Sequence, residues 1–333
     1  MKKFLTAILL LCLVFALVAC DTGTTTPPPA GNTPGEAREG DLKIGLTMQT
    51  LGGAYFAAQE ETFIRVCQEK GIEYMTADAG GDVNKELENV EAFITAGCNV
   101  IVINPVHAES SVAATKICED AGVAVFIMDN SIAPSASYVS MIQSDNYTLG
   151  TLVGADIAAH FGTETINLGF LSGNEGNTLG VARRMGTLAG IIEYQLMTYN
   201  ASNVNILTQG WGGWNQAQGQ EAAEGMLTTA PEINCIFAEN DDMAQGALAA
   251  CEARNRTDIV LCGADGNKTM YQMIIDGKAL ATGRNNPDEC AATVIETIIK
   301  WWGGENVPSL VYLTPVSVNA SNVNNYFDPN STF

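Results

Sequence analysis

From residue 42 onward, short apolar runs alternate with longer amphipathic stretches. The runs "LKIGLTM", "IEYMTAD", "NVIVI" and "VAVFIMD" are separated by segments 54–70, 83–97 and 109–121, whose apolar positions recur at helical spacing. Nearly continuous apolar runs of about four to eight residues suit strands buried on both faces, and such strands belong to parallel sheets whose crossovers are helices. A second series follows "YVSMIQSDN": a helix over 147–161, "INLGFL", a helix over 178–197, "VNILT", a helix over 213–229, "CIFAEN", a helix over 242–254, "IVLCGAD" and a helix over 268–277. A last run, "ALATGRN", leads into a helix over 287–302 and then "SLVYLTPV", pieces placed to cross back between the halves. The pattern predicts an α/β chain of two doubly wound, Rossmann-like halves with parallel sheets.

Ligands of open parallel sheets bind outside the carboxyl ends of the strands. Polar or aromatic residues follow nearly every apolar run here: Gln49 with Tyr55 and Phe56, Asn104, Asp129 with Asn130, Trp211 and Trp214, Glu239 with Asn240, Asp265, and Arg284 with Asn285. A single Asn or Asp after a strand is ordinarily a turn residue or a helix N-cap. Repetition in both halves points instead to one cleft lined from two sides. Planar hydrogen-bonding groups beside aromatic faces suit a sugar, whose hydroxyls need donors and acceptors while its C–H faces pack on rings.

The first residues change the picture of where the chain works. Lys2 and Lys3 form a positive head, and Phe4 to Val18 an apolar stretch short for a bilayer span, so residues 1–19 read as an export signal. Leu17, Val18 and Ala19 lead directly into Cys20, which resembles the bacterial lipobox; the alternative is an ordinary secretory peptide with an incidental cysteine. In the lipobox reading Cys20 is lipidated and becomes the first residue of the mature chain, and the lipid is the sole membrane attachment. Residues 20–41 are rich in Thr, Pro and Gly, with too few apolar groups to offset ordering, and read as a mobile tether.

The formal net charge is −21, from 37 acidic and 16 basic residues. Such a surface repels phosphate backbones and anionic lipid, which argues against nucleic-acid partners and against a surface-lying membrane mode. Besides Cys12 and Cys20 there are Cys67, Cys98, Cys118, Cys235, Cys251, Cys262 and Cys290, an odd number without a CxxC pair. Most occupy apolar-periodic positions, where a thiol behaves as a small hydrophobe, and buried free thiols are expected. His107 and His160 are the only histidines and lie in no metal-ligand spacing. "GFLSGN" misses the nucleophile elbow and "GADGNKT" misses the P-loop spacing. No catalytic residue, metal or cofactor is expected.

At the cleft residues the chain resembles the type I periplasmic sugar-binding proteins, the ribose, galactose and xylose receptors of ABC importers. The resemblance runs from about Leu42 to Val318, and is carried by "KIGLTMQTLGGAYFAAQEE", "VIVINPVHAESSVAATKICEDAGVAVFIMDN", "IQSDNYTLGTLVG", "FAENDDMAQGAL" and "GADG". Repressors of the LacI type share the fold, but they begin with a helix-turn-helix and a basic surface, against the lipobox and acidic surface here. The resemblance implies two lobes, 42–143 with 286–314 and 144–285 with 315–325, joined by crossings near Gln143–Asp145, Asn285–Asn286 and Pro315. It implies a monomer that holds a monosaccharide or related polyol between its lobes and delivers it to a membrane permease. A sensor presenting its closed form to a kinase or chemoreceptor is the alternative.

Carried over residue by residue, the ribose-type pocket falls on Tyr55, Phe56, Asn104, Asp129, Arg183, Trp214, Asn240, Asp265 and Asn285, with Gln49 and Asn130 at positions that differ from the family. Asn130 stands where ribose-type receptors carry an arginine, Gln49 where they carry a serine, and Gly53 where they carry an asparagine. Loss of a charge-assisted bond costs about 1.5 to 3 kcal/mol, which moves preference away from ribose unless Arg184 or Arg284 supplies the missing donor.

Overall fold

A computed structural model of the protein describes residues 37–333. The leader, Cys20 and the tether as far as residue 36 lie outside the described residues. The first half builds strands β1 (Lys43–Met48), β2 (Glu73–Asp78), β3 (Val100–Ile103), β4 (Ala124–Met128) and β5 (Ser140–Ser144), alternating with helices α1 (Ala54–Lys70), α2 (Val83–Thr95) and α3 (Val112–Asp120). The second half adds α4 (Asn146–Phe161), β6 (Ile166–Ser172), α5 (Thr178–Tyr199), β7 (Val204–Trp211), α6 (Gln216–Thr229), β8 (Cys235–Ala238), α7 (Asp241–Ala253), β9 (Val260–Asp265), α8 (Lys268–Ile275) and β10 (Ala281–Arg284). Then come α9 (Pro287–Trp302), β11 (Leu310–Leu313), β12 (Ser317–Asn319) and a 3-10 turn at Val323–Asn325.

Two six-stranded sheets result, ordered β11-β5-β4-β3-β1-β2 and β12-β10-β9-β8-β6-β7. Every pairing in the first is parallel. The second departs from the expected all-parallel pattern at one edge, where β12 runs antiparallel to β10. The C-terminal run therefore splits. β11 pairs with β5 in the first sheet, and after three intervening residues β12 joins the second. The chain passes between the sheets after Ser144, after Arg284 and after Leu313.

The central strands of each sheet are buried on both faces, as their apolar runs require, while the edge strands β2, β7 and β11 are partly exposed. On the first, Phe63 and Val66 of α1 pack with Val294, Ile298 and Trp301 of α9, while Val90, Phe93, Ala114 and Cys118 cover the other face. On the second, Ala223, Met243 and Met270 lie on one face, and Val153, Ile157 and Ile191 on the other. Helices α4 and α5 approach so closely that a Cβ on Gly150 would lie 2.3 Å from the Arg183 carbonyl oxygen and one on Gly190 2.0 Å from that of Thr151. This approach sets the start of α5, and with it Arg183, against the start of α4.

All seven cysteines of the described residues are buried and free. Residues 38–41, assigned to the tether on composition, are instead docked on the first lobe. Arg38 donates from its backbone to the Trp302 carbonyl (2.9 Å), its guanidinium lies 3.2 Å from the Trp301 ring centroid, and Asn99 Nδ2 donates to the Asp41 carbonyl (2.8 Å). A cation over an indole face holds the chain where composition alone predicts mobility.

Candidate ligand-binding cleft between the lobes

The carboxyl ends of both sheets carry polar side chains that converge. In the first lobe Tyr55 stands in the first turn of α1, and its hydroxyl donates to Asp129 Oδ1 at 2.7 Å. Asp129 follows β4 with φ of 66°, a left-handed conformation that Asp tolerates better than most residues, and its N–H is held by the Ile142 carbonyl at 2.8 Å. Burial pushes the Asp129 carboxyl up from its ordinary range, against the lowering effects of the Tyr55 hydroxyl and the positive charge of Arg183. Burial also raises the Tyr55 phenol, which keeps it a donor.

Beneath this pair lies Gln59, wholly buried one turn along α1 from Tyr55. It accepts from Asn104 Nδ2 at 3.1 Å and approaches the Tyr55 hydroxyl at 3.4 Å. Asn104 is itself fully buried after β3, and its Oδ1 has no hydrogen-bond partner. An unmet acceptor in the interior is costly, so a donor reaching this point would be well received. Asn130 donates to Gln49 Oε1 and to the Pro105 carbonyl (3.1 Å), which ties these two positions together on the same side. Phe56 crosses Tyr55 edge-to-face, with centroids 5.5 Å apart, and leans on the lobe's apolar core.

In the second lobe Arg183 is 1% exposed and spends its donors on three acceptors. Nε reaches Asn146 Oδ1 at 2.9 Å, Nη1 the Glu239 carbonyl, and Nη2 Asp265 Oδ1 at 2.8 Å. Asp265 is the last residue of β9, with φ of 124°. Its carboxyl is raised by burial, opposed by Arg183 and by Asn285, whose Nδ2 is 3.5 Å away. Asn285 is buried at the second crossing and accepts from Ser144 Oγ at the first (2.5 Å), so two crossings are bonded together beside the site. Behind Asp265, Asp241 accepts from the N–H groups of Gly266 (2.6 Å) and Asn267 (2.8 Å) and from Thr282 Oγ1 (2.7 Å). Burial and the neighbouring Asp265 both raise its carboxyl.

The eleven residues singled out in the sequence do not all stand alike. Tyr55, Asn104 and Asp129 form one connected group and Arg183, Asp265 and Asn285 another. Asn240 is the N-cap of α7, accepting from the Met243 N–H at 3.0 Å and donating to the Trp214 carbonyl at 3.2 Å, so its amide is committed to holding the loop that carries Trp214. Trp214 has φ of 63° and lies so close to Gly173 that a Cβ there would fall 1.9 Å from its ring. Arg184 is bound to Glu239 Oε1 and Ser172 Oγ (3.1 Å), with its guanidinium 5.8 Å from the exposed Trp211 ring. Arg284 is paired with Glu289. Both arginines are thus engaged away from Asp129. Gln59, Asn146 and Asp241 escaped the sequence reading. For Gln59 a signal was present, an amide at i+4 from Tyr55 on the face of α1 that also carries Thr62, Phe63 and Val66 inward.

Two doubly wound lobes, with polar half-sites at the carboxyl ends of their sheets and two crossings hydrogen-bonded beside them, define the class of two-lobed binding proteins. The chain belongs to the periplasmic binding protein family: residues 44–306 match the description "Periplasmic binding protein domain". It is 29% identical over 266 residues to the ribose import binding protein RbsB of Escherichia coli (strain K12), covering 79% of this chain and 86% of that protein. Its fold is similar to that of an ABC transporter solute binding protein from Mycobacterium smegmatis with bound glycerol, at 30% identity and a TM-score of 0.79 over 88% of this chain and 99% of that one. It is similar also to a periplasmic solute binding protein from Actinobacillus succinogenes 130z with bound D-allose, at 25% identity and a TM-score of 0.78 over 86% and 100%. The family consists of extracytoplasmic sugar-binding components of ABC transporters and binds its solutes without transforming them.

Proposed function

We propose that the protein is a lipid-anchored receptor that captures a monosaccharide or related polyol between its lobes and delivers it to an ABC-type permease. The observation that carries the reading is the pair of facing half-sites, Tyr55–Asp129 over Asn104 in one lobe and Arg183–Asp265–Asn285 in the other. A hydroxylated ring offers both donors and acceptors. The carboxylates of Asp129 and Asp265 accept from hydroxyls, the unmet Oδ1 of Asn104 accepts one more, and the faces of Tyr55, Phe56 and Trp214 receive the C–H surfaces. A micromolar dissociation constant corresponds to about 8 kcal/mol, within reach of that set.

The lobes, 42–143 with 286–314 and 144–285 with 315–325, rotate about the three crossings and exclude water from the ligand as they close. Relatives are named for ribose, and solved neighbours hold D-allose and glycerol. Asn130 replaces the arginine of ribose-type receptors, and Arg184 and Arg284 are engaged elsewhere, so a cargo other than ribose is favoured. Attachment through Cys20, outside the cytoplasmic membrane, rests on the lipobox-like "LVAC", and the acidic surface fits a monomer whose membrane contact is the lipid alone.

The test is to strip bound solute by unfolding and refolding, then follow tryptophan fluorescence and melting temperature against pentoses, hexoses, deoxysugars, cyclitols and glycerol. A saturable fluorescence change with raised melting for one or a few neutral compounds is expected, since binding to the native state stabilises it. Silence across the panel refutes a sugar or polyol cargo.

A further inference from the structure

The C-terminal segment 326–333 belongs to the second lobe by its packing. Tyr326 and Phe327 lean on that lobe's apolar core, the Arg284 guanidinium lies 5.3 Å from the Tyr326 ring, and Lys268 Nζ of α8 donates to the Ser331 carbonyl at 2.6 Å. The segment nevertheless reaches the first lobe. The Phe333 ring crosses Tyr55 edge-to-face, with centroids 5.5 Å apart and planes at 80°. Ser331 shapes that end of the segment, its Oγ donating to the Phe333 carbonyl at 2.7 Å and accepting from the Phe333 N–H at 3.2 Å. Beneath it lies a cavity of about 350 Å³, lined by Glu61 and Arg65 of α1 on one side and by Lys268, Tyr271 and Asn330 on the other. The segment therefore spans open space between the lobes before Phe333 meets Tyr55.

We propose that Phe333 is a positioning residue of the ligand site, acting through Tyr55, and that its contact is made only when the lobes are together. Tyr55 is crossed at near right angles by Phe56 and Phe333, at 88° and 80°, while its hydroxyl is bonded to Asp129. Two crossing rings and one hydrogen bond fix the plane of the ring on which a sugar face would stack. Phe56 rides on the same lobe as Tyr55 and moves with it. Phe333 is carried by the opposite lobe, so separation of the lobes withdraws it and releases the Tyr55 ring. Closure thus completes the aromatic wall at the same moment that it brings Arg183 and Asp265 to the ligand, and Phe333 slows reopening. This rests on the sugar-receptor reading of the cleft.

The experiment uses the full protein with a sugar identified by the panel above, and measures release by stopped-flow tryptophan fluorescence. Phe333→Ala is expected to raise the dissociation rate about three- to tenfold, the worth of one aromatic edge contact, while leaving ligand-free melting nearly unchanged. Phe333→Tyr restores slow release, and in a Tyr55→Ala background Phe333→Ala has no further effect. An unchanged rate, or an equal effect with Tyr55 absent, overturns the proposal. Small-angle scattering of the ligand-free protein gives a readout that needs no sugar: Phe333→Ala should enlarge the radius of gyration, and an unchanged radius overturns the latch. If the unaltered protein binds nothing in the panel, the cargo reading fails, and scattering alone decides the role of Phe333.

Discussion

Removing the Arg183 guanidinium while keeping the length of its stem, as in Arg183→Met, tests how the second lobe's half-site is held together. The side chain is 1% exposed and satisfies Asn146 Oδ1, the Glu239 carbonyl and Asp265 Oδ1. Methionine fills the volume and returns none of these bonds. Breaking a buried ion pair from one side costs about 3 to 5 kcal/mol, because the partner charge is left uncompensated. At about 2 to 4 °C per kcal/mol for a chain of this size, the melting temperature at pH 8 should fall by about 6 to 20 °C. The cost is electrostatic and should therefore depend on pH. Asp265 is already raised by burial, and Arg183 is the first of the groups that hold it down. Without Arg183 the carboxyl protonates more readily, so at pH 5 it sheds the uncompensated charge and the deficit shrinks. Calorimetry of both proteins at pH 8 and pH 5 checks the magnitude and the pH dependence together, and Arg183→Met with Asp265→Asn should recover part of the loss. A deficit under about 1 kcal/mol at pH 8, or one equal at the two pH values, refutes the reasoning.

The unaltered protein should itself become more stable as pH falls from 8 to 5. Burial raises the carboxyls of both Asp241 and Asp265 above the range in which an unfolded Asp titrates, so the folded state takes up protons first and gains stability as pH falls; a melting temperature that drops steadily from pH 8 to 5 contradicts it. In Gly190→Ala the new Cβ would meet the Thr151 carbonyl oxygen at 2.0 Å, and a loss of about 2 kcal/mol or more is expected in denaturant titration. Gly225→Ala in α6 meets nothing within 4 Å and should be neutral or stabilising by up to about 1 kcal/mol, so equal effects at the two glycines would refute the close helix packing. Tyr55→Phe removes the 2.7 Å donor to Asp129 and should weaken sugar binding by at least about tenfold at pH 8, read by fluorescence titration; unaltered affinity would place the ligand away from Asp129.

Much of the architecture is legible because burial on both faces leaves an apolar run that no solvent-facing segment shares. "NVIVI" and "CIFAEN" needed only that signal to be placed as central strands, and β3 and β8 are fully buried. Edges are less legible. β12 is three residues long, and its antiparallel pairing follows from where the third crossing delivers it, which no local pattern records. Side-chain partnership over long sequence separation is less legible still. The docking of Arg38 on Trp301 spans 263 positions and overrides a composition that favours mobility. Within the cleft, Asp129 and Asp265 stand out because charged groups at strand ends invite a functional reading, whereas Arg183, inside α5, is reached only through the family resemblance. Asn240 stood out for the same reason but serves as a cap, since a side chain that suits a ligand also suits a helix terminus. Gln59 and Phe333 carry no strand-end signal, because one sits inside α1 and the other in an irregular segment after the last element.

The burial of the seven thiols bears on how the protein matures. Only a thiolate attacks a disulfide or an oxidant, and an unperturbed cysteine near neutral pH supplies a few per cent of it. Here burial pushes Cys67 and Cys118 up to about 12 and Cys251 to about 11, and raises Cys235, Cys262 and Cys290 as well. For Cys67, Cys118 and Cys251 the reactive fraction at neutral pH is then on the order of one in ten thousand or less, before access is even considered. In the folded molecule these buried sulfurs are therefore poor nucleophiles, and the fold of the described residues contains no disulfide that has to be formed. Its vulnerable interval is the unfolded chain, when the thiols that the fold buries are ordinary cysteines open to mispairing. Rapid burial of the sheets is then its means of staying reduced.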